Sequence, residues 1–435
     1  MAKFLRICPQ KVIRFSALGW AAMLCLAVPA QATNGYFSHG YGTISKSMAG
    51  TGVAWGGDGM AAANNPATML QVGNRLDAGL AFFNPERGFT ANNDAQTPPY
   101  ASIPAGSYDS RDALFLIPYV GYNHILDADT SIGFSLGANG GMLVNYGDNV
   151  FRNFNSGANL ASSPTSSRLE QIFLGVSMAR RVHPDHTLGI MPILSVQRFE
   201  AKGLEPFQAV SASPDRVTNK GMDYSYGMGL KLGWQGRMND WLTLGASYQT
   251  RTFMTRFKQY QGLFAEQGDF DIPPLMTVGA AFRVAPQWTV LLDLQRIQYS
   301  QVAALGNSND LPMSTGGTIL GTSGGLGFGW RDQDIVKLGV QWQYSDATSF
   351  RAGISHADQV VPSQQALFNI LAPAVVRTHL TAGFSQKFAD KGTFNLSLMH
   401  ALNERVAGTN PNTGPQTGYL EMNQNEVEVS WTWGF

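Results

Sequence analysis

Tyr224-Ser-Tyr226-Gly-Met228-Gly-Leu230-Lys231-Leu232-Gly-Trp234-Gln235 alternates without a break: every even position is apolar, every odd one Ser, Gly, Lys or Gln. A period of two sends these two sets to opposite faces of a β-strand. Strands of soluble sheets typically hold about 5–6 residues. A tilted strand that crosses a bilayer needs about 9–11. The length of the run therefore points to a membrane strand with an apolar outer face and a polar inner one. The same rhythm returns at 130–138, at 242–249 and at 426–435, where Val427, Val429, Trp431, Trp433 and Phe435 alternate with polar residues or Gly.

Composition agrees with that reading. Only 14% of the 435 residues are charged, against about 25% in soluble domains. The 30 basic residues balance the 30 acidic ones, which removes the electrostatic footprint of a nucleic-acid binder. No stretch of 18 consecutive apolar residues follows the N-terminus, so no membrane helix is expected.

The N-terminus reads as an export signal over residues 1–32. Lys3, Arg6, Lys11 and Arg14 precede an apolar stretch that ends in Ala30-Gln-Ala32. Cleavage after Ala32 removes four basic residues and both cysteines, Cys8 and Cys25. The remaining chain has a net charge near −4 and no thiol, hence no disulfide and no cysteine metal site.

Short polar turns are expected at 127–129, 183–186, 236–240, 285–287, 346–348 and 389–392. Longer loops fall between them, at roughly 85–113, 145–167, 201–221, 255–273, 300–330, 356–374 and 404–419. Bacterial barrels pair short periplasmic turns with long external loops. Six turns and seven loops give an all-β fold, a transmembrane antiparallel β-barrel of about fourteen strands over 74–435. Twelve or sixteen strands remain open, because the patterns at 75–84 and 349–355 are weak. Residues 33–73 lack alternation and are rich in small residues, which suits a plug packed in the lumen.

The motifs Asn34-Gly-Tyr-Phe-Ser-His-Gly-Tyr-Gly42, Ser45-Lys-Ser-Met-Ala-Gly50 and Asn64-Asn65-Pro66-Ala67 resemble those of the FadL family. These are bacterial outer-membrane transporters of long-chain fatty acids and other hydrophobic compounds, including aromatic hydrocarbons. The resemblance implies fourteen strands, an N-terminal hatch carrying Asn65, Pro66 and Ala67, and sideways release through the wall near a kink in the third strand. Here Asn139-Gly140-Gly141 ends the alternation of that strand, 130–144, and Gly inside a strand marks a bulge or bend. The expected function is passive uptake, most readily of long-chain fatty acids, with aromatic hydrocarbons as the alternative cargo.

Ligand candidates follow from parity and clustering. Lys231, Arg251, Lys337 and Arg377 stand on the polar parity, where a cation could bind a carboxylate or pair with Glu426 and Glu428. Phe253, Phe257 and Phe264, with Tyr260 and Leu263, cluster around the fourth outer loop as a capture surface. Phe435 looks like the terminal aromatic read by barrel-assembly machinery. The other expected partners are outer-membrane lipid and lipopolysaccharide, and no cofactor is called for.

Three motifs point elsewhere. Gly133-Phe-Ser135-Leu-Gly137 matches a hydrolase nucleophile elbow, which keeps an outer-membrane lipase or esterase as the reading from another class; the motif needs a strand-to-helix turn. Gly40 to Ser47 nearly matches a phosphate-binding loop but has Ser45 in place of the glycine before the lysine. His183 and His186 could ligate a metal but sit in a short turn. Residues 364–376 could form a short apolar helix at the pore mouth.

Overall fold

A computed structural model describes residues 34–92, 101–154, 163–312 and 318–435. The signal-type segment 1–32 lies outside them. Fourteen antiparallel strands form one closed ring. They are β1 (Arg75–Ala91), β2 (Phe115–Ile125), β3 (Thr130–Asn145), β4 (Ser166–His183), β5 (His186–Lys202), β6 (Asp223–Arg237) and β7 (Leu242–Gln249). The second half holds β8 (Leu275–Ala285), β9 (Trp288–Ile297), β10 (Gln333–Gln343), β11 (Thr348–Ala357), β12 (Thr378–Lys387), β13 (Thr393–Gly408) and β14 (Gly418–Gly434). Two short pieces are added: Gly106–Asp109 pairs with β1 and Phe253–Met254 with β6. β14 closes on β1 along its length, from Arg75↔Gly434 to Ala91↔Gly418. Closure satisfies the edge N–H and C=O groups that a bilayer cannot hydrate.

The polarity is inverted relative to a soluble protein. On β6, Tyr226 and Met228 are 58% and 65% exposed, whereas Lys231 is 2% exposed. Aromatic residues gather at the short-turn end, where Trp288 stacks on Trp342 at 5.4 Å and Phe388 on Trp431 at 5.8 Å. Phe435 stacks on Tyr122 at 5.8 Å in the same region. Such side chains suit the apolar–polar boundary of a bilayer.

All six expected turns are present. Two strands run further than their patterns: β1 reaches Ala91, not 84, and β13 reaches Gly408. Asn84-Pro85-Glu86 interrupts the alternation of β1. Pro85 stands between Phe83, where pairing with β2 stops, and Gly88, where the short piece begins. An edge free of a ladder is where a strand tolerates proline. The expected helix at 364–376 shrinks to one α-turn, Ala366–Asn369, and Ile370 to Val376 continue as buried chain.

Residues 34–74 hold only single turns, Thr43–Lys46, Ala61–Asn64 and a 3-10 stretch Pro66–Gln71. Nearly all of the segment is buried against inward-facing side chains of the strands. Above it the external loops bury a large apolar cluster that includes Phe199, Phe207, Phe264, Phe270, Trp330 and Phe368.

Candidate functional site

Asn65 organises the Asn-Pro-Ala motif. Its Oδ1 accepts from the Ala67 N–H at 3.0 Å and caps the turn that Pro66 opens. Its Nδ2 donates to Val53 O at 2.6 Å and to Trp234 O of β6 at 2.9 Å. A Cβ on Gly233 would meet Asn65 Oδ1 at 2.0 Å, so the wall is bare where the motif touches it.

Further anchors surround the segment. Lys46 Nζ donates to Glu426 Oε1 at 3.0 Å and to Glu428 Oε2 at 2.7 Å, both on β14. Burial opposes the charge on Lys46, but the two carboxylates outweigh it and hold its pKa above the ordinary range. Asp293 of β9 accepts from the N–H groups of Gly52 and Val53 at 2.8 and 3.0 Å. Asp77 of β1 accepts from Gly59 N–H at 2.8 Å. Burial and the neighbouring Asp77 push the Asp58 carboxyl up to about 7.

The wall is not uniformly paired. β2 and β3 are hydrogen-bonded only from Ile125↔Ser131 to Val120↔Leu136. Beyond that, Phe115 to Tyr119 pair with β1 alone, and Gly137 to Asn145 run only against β4, with a register shift at Ala138/Gly140. The free edge of β3 is taken up by the N-terminal segment. Ser38 N–H donates to Asn139 O at 3.1 Å, and Gly141 N–H donates to Tyr36 O at 3.0 Å. Gly140 has φ +157°, and a Cβ there would lie 1.8 Å from Tyr36 O, so only glycine lets the segment approach. The Asn139 side chain donates to Gln171 at 2.9 Å and accepts from Tyr41 OH at 3.1 Å.

The four candidate cations separate into two groups. Lys231 and Lys337 are buried in the lumen. Lys231 Nζ donates to Ala63 O and lies 5.6 Å from the centre of the Tyr41 ring; Lys337 Nζ donates to His39 O at 2.8 Å. Two crevices of mixed polarity flank Lys231, one with Asn139, Gln249, Phe173 and Met191 in its lining, the other with His39, Asp293 and Lys337. Arg251 and Arg377 do not share that site. Arg251 follows the end of β7, and its guanidinium pairs with Asp269 and Asp271 at 3.4 and 2.6 Å. Arg377 donates to Ala357 O at 3.0 Å at the outer rim. The partner of Glu426 and Glu428 is Lys46, which the reading of the wall alone missed; its place within Ser45-Lys-Ser47 was the available signal.

The aromatic candidates also divide. Phe253 is exposed on the outside, with Arg251 5.8 Å from its ring centre. Phe257 and Phe264 are buried, not exposed, because the loop folds inward onto Phe199 and Phe270. Phe264 lines an apolar cavity with Phe199, Phe207, Leu326, Phe328 and Phe368.

The other motifs lie in plain surroundings. Gly133 to Gly137 are mid-strand in β3, so no nucleophile elbow forms around Ser135. His183 and His186 flank the β4–β5 turn, and no group of three metal-ligating side chains occurs among the described residues. Lys46, the lysine of the phosphate-loop lookalike, is committed to its two glutamates.

The fold is shared with solved outer-membrane channels. The Pseudomonas putida toluene transporter TodX superposes with a TM-score of 0.67 at 20% identity, covering 91% of this chain and 99% of that one. A Pseudomonas aeruginosa FadL homologue gives 0.67 at 14% identity, covering 92% and 100%. In sequence, the long-chain fatty acid transport protein of Salmonella typhi is 28% identical over 147 residues, 33% of this chain and 30% of that protein. That of Escherichia coli K12 is 27% identical over 147 residues, with the same shares. The match thus spans less than a third of these curated relatives. The family described as "Outer membrane protein transport protein (OMPP1/FadL/TodX)" matches residues 30–431, nearly the whole closed barrel, and the chain belongs to that family.

Proposed function

We propose that this outer-membrane barrel takes up hydrophobic molecules passively, long-chain fatty acids first among them, and releases them sideways between β2 and β3. The observation that carries the reading is the end of pairing at Val120↔Leu136, with the free edge of β3 covered by Tyr36 to Ser38 rather than by β2. Residues 34–74 are then the plug of the barrel, tied at Lys46, Asn65 and the Gly52–Val53 N–H groups.

The route begins in the apolar cavity beneath the external loops. Removing apolar area from water there yields about 25 cal/mol per Å², which a water-filled pore cannot supply. Discharge into the membrane spares the solute a return to water. Lys231 and Lys337 favour a carboxylate cargo, since each buried ammonium has a backbone carbonyl as its hydrogen-bond acceptor and can give further donors to an anion. The largely apolar lining around Phe207, Phe328 and Phe368 suits an aromatic hydrocarbon equally well, which is the second reading.

Uptake of a labelled long-chain fatty acid and a labelled aromatic hydrocarbon, compared in cells lacking the protein and in complemented cells, tests both. Restored fatty-acid uptake supports the first reading, and restored hydrocarbon uptake alone the second. Restoration of neither, with the barrel assembled, refutes both.

A further inference from the structure

Arg87 lies on the lumen-facing parity of β1, opposite Met422 of β14, in the stretch beyond the end of β2. It is 6% exposed. Its Nε donates to Leu143 O of β3 at 2.5 Å, across the unpaired part of the wall, and its Nη1 donates to Pro85 O at 2.8 Å. Its Nη2 is buried and has no hydrogen-bond partner. The guanidinium carbon lies 5.4 Å from the centre of the Phe115 ring. Among the described residues no carboxylate reaches ion-pair distance of Arg87, whereas Arg75, Arg198, Arg251 and Arg296 are so paired.

A buried guanidinium served only by carbonyl oxygens and a ring face is poorly compensated, and a planar fork with an idle N–H matches a carboxylate. The surroundings match the rest of an amphiphile. Arg87 borders a crevice whose other walls are Pro85 of β1, Gly141, Met142 and Leu143 of β3, Met422 of β14, and Ala372 to Ala374 of an external loop. These are apolar or backbone surfaces, so among the described residues the guanidinium is the one charged group that faces the crevice.

We propose that Arg87 is an anion subsite at the sideways exit, which holds the carboxylate of a departing fatty acid while its alkyl chain lies along Met142, Leu143 and Met422. The inference rests on the uptake reading above and adds a residue and a cargo class to it. Lys231 and Lys337 would hold the headgroup in the lumen; Arg87 would receive it at the wall. An incoming carboxylate supplies a stronger acceptor than Leu143 O, so its arrival also releases the one side-chain bond that ties β1 to β3 across the gap.

The test compares uptake of a labelled alkanoate with that of the neutral alkanol of equal chain length, in cells carrying the full-length wild type, Arg87→Met or Arg87→Lys. Barrel assembly is checked by heat-modifiable electrophoretic mobility. The proposal predicts that Arg87→Met lowers the alkanoate-to-alkanol ratio about tenfold and that Arg87→Lys recovers most of it. A ratio unchanged in Arg87→Met, whether both rates fall together or neither falls, overturns the subsite and leaves Arg87 a wall contact. A wild type that carries neither compound overturns the uptake reading, and the subsite with it. If Arg87→Met fails to assemble, photolabelling of the unaltered protein decides. An alkanoate with a diazirine beside its carboxyl group should label Leu143, Met142 or Met422, and labelling confined to other residues refutes the proposal.

Discussion

Lys46 Nζ lies 2.7 Å from Glu428 Oε2, and the bond joins residues 382 positions apart: one in the N-terminal segment, the other on the strand that closes the ring. Glu426 completes the triad at 3.0 Å, and Thr43 Oγ1 donates to the second oxygen of Glu428 at 2.8 Å. All three charged side chains are almost wholly withdrawn from water. Removing one partner of a buried ion pair costs about 3–5 kcal/mol. Lys46→Met should therefore loosen the segment and raise the permeability of cells to small hydrophilic dyes. Adding Glu426→Gln and Glu428→Gln should recover part of the loss, because the effects of groups in contact are not additive. Equal dye influx in wild type and Lys46→Met would remove the triad as an anchor.

The seating of the segment should depend on pH through Asp58. Its carboxyl is pushed from 3.8 to about 7, first by burial and then by Asp77. The seated state holds a proton that the free state has lost, so between pH about 4 and about 7 seating weakens as pH rises. Proteolysis of 34–74 in purified barrels should therefore be faster at pH 8 than at pH 5. Asp58→Asn should flatten that difference; a profile with the same slope in the variant would contradict the assignment.

Asn65→Ala removes the cap of the Pro66 turn and two donors, to Val53 and Trp234. A lost cap costs about 0.5–2 kcal/mol. Hydrogen exchange in residues 53–68 should speed up accordingly while the strand amides stay protected. Asn65→Asp keeps the cap but loses both donations, and should fall between the two.

Phe435, stacked on Tyr122, is proposed to act in assembly. Its deletion should lower the yield of folded barrel in the outer membrane without changing uptake per folded molecule. Normal yield on quantitative immunoblotting would count against that role.

The wall was legible because its two faces meet unlike environments, so each strand writes its own period of two, as at 224–235. Where an environment is mixed the period fails. β1 continues through Pro85 to Ala91 because it has β14 as a partner, which no local pattern announces. That is why Arg87 went unnoticed: its stretch reads as loop. Lys231 and Lys337 were found by parity. Arg251, by contrast, lies beyond the last ladder bond of β7, where parity no longer fixes a side chain's direction. Phe257 and Phe264 are apolar in a loop, which is consistent with an exposed patch or with a core built by several loops together. Long-range packing decides that, and local sequence does not encode it. The bulge at Asn139-Gly140-Gly141 was visible as a break, but its partners, Tyr36 and Ser38, lie about a hundred residues earlier.

Sealing the wall tests release between β2 and β3 most directly. Continuing the register beyond Val120↔Leu136 sets Pro118 opposite Ala138, and both cysteines of the chain lie in the signal-type segment. Cells carrying Pro118→Cys with Ala138→Cys would be assayed for uptake of a labelled long-chain fatty acid, oxidised and then reduced. The account predicts that uptake is lost when the disulfide forms and returns on reduction. Undiminished uptake through a barrel shown to be cross-linked would contradict it.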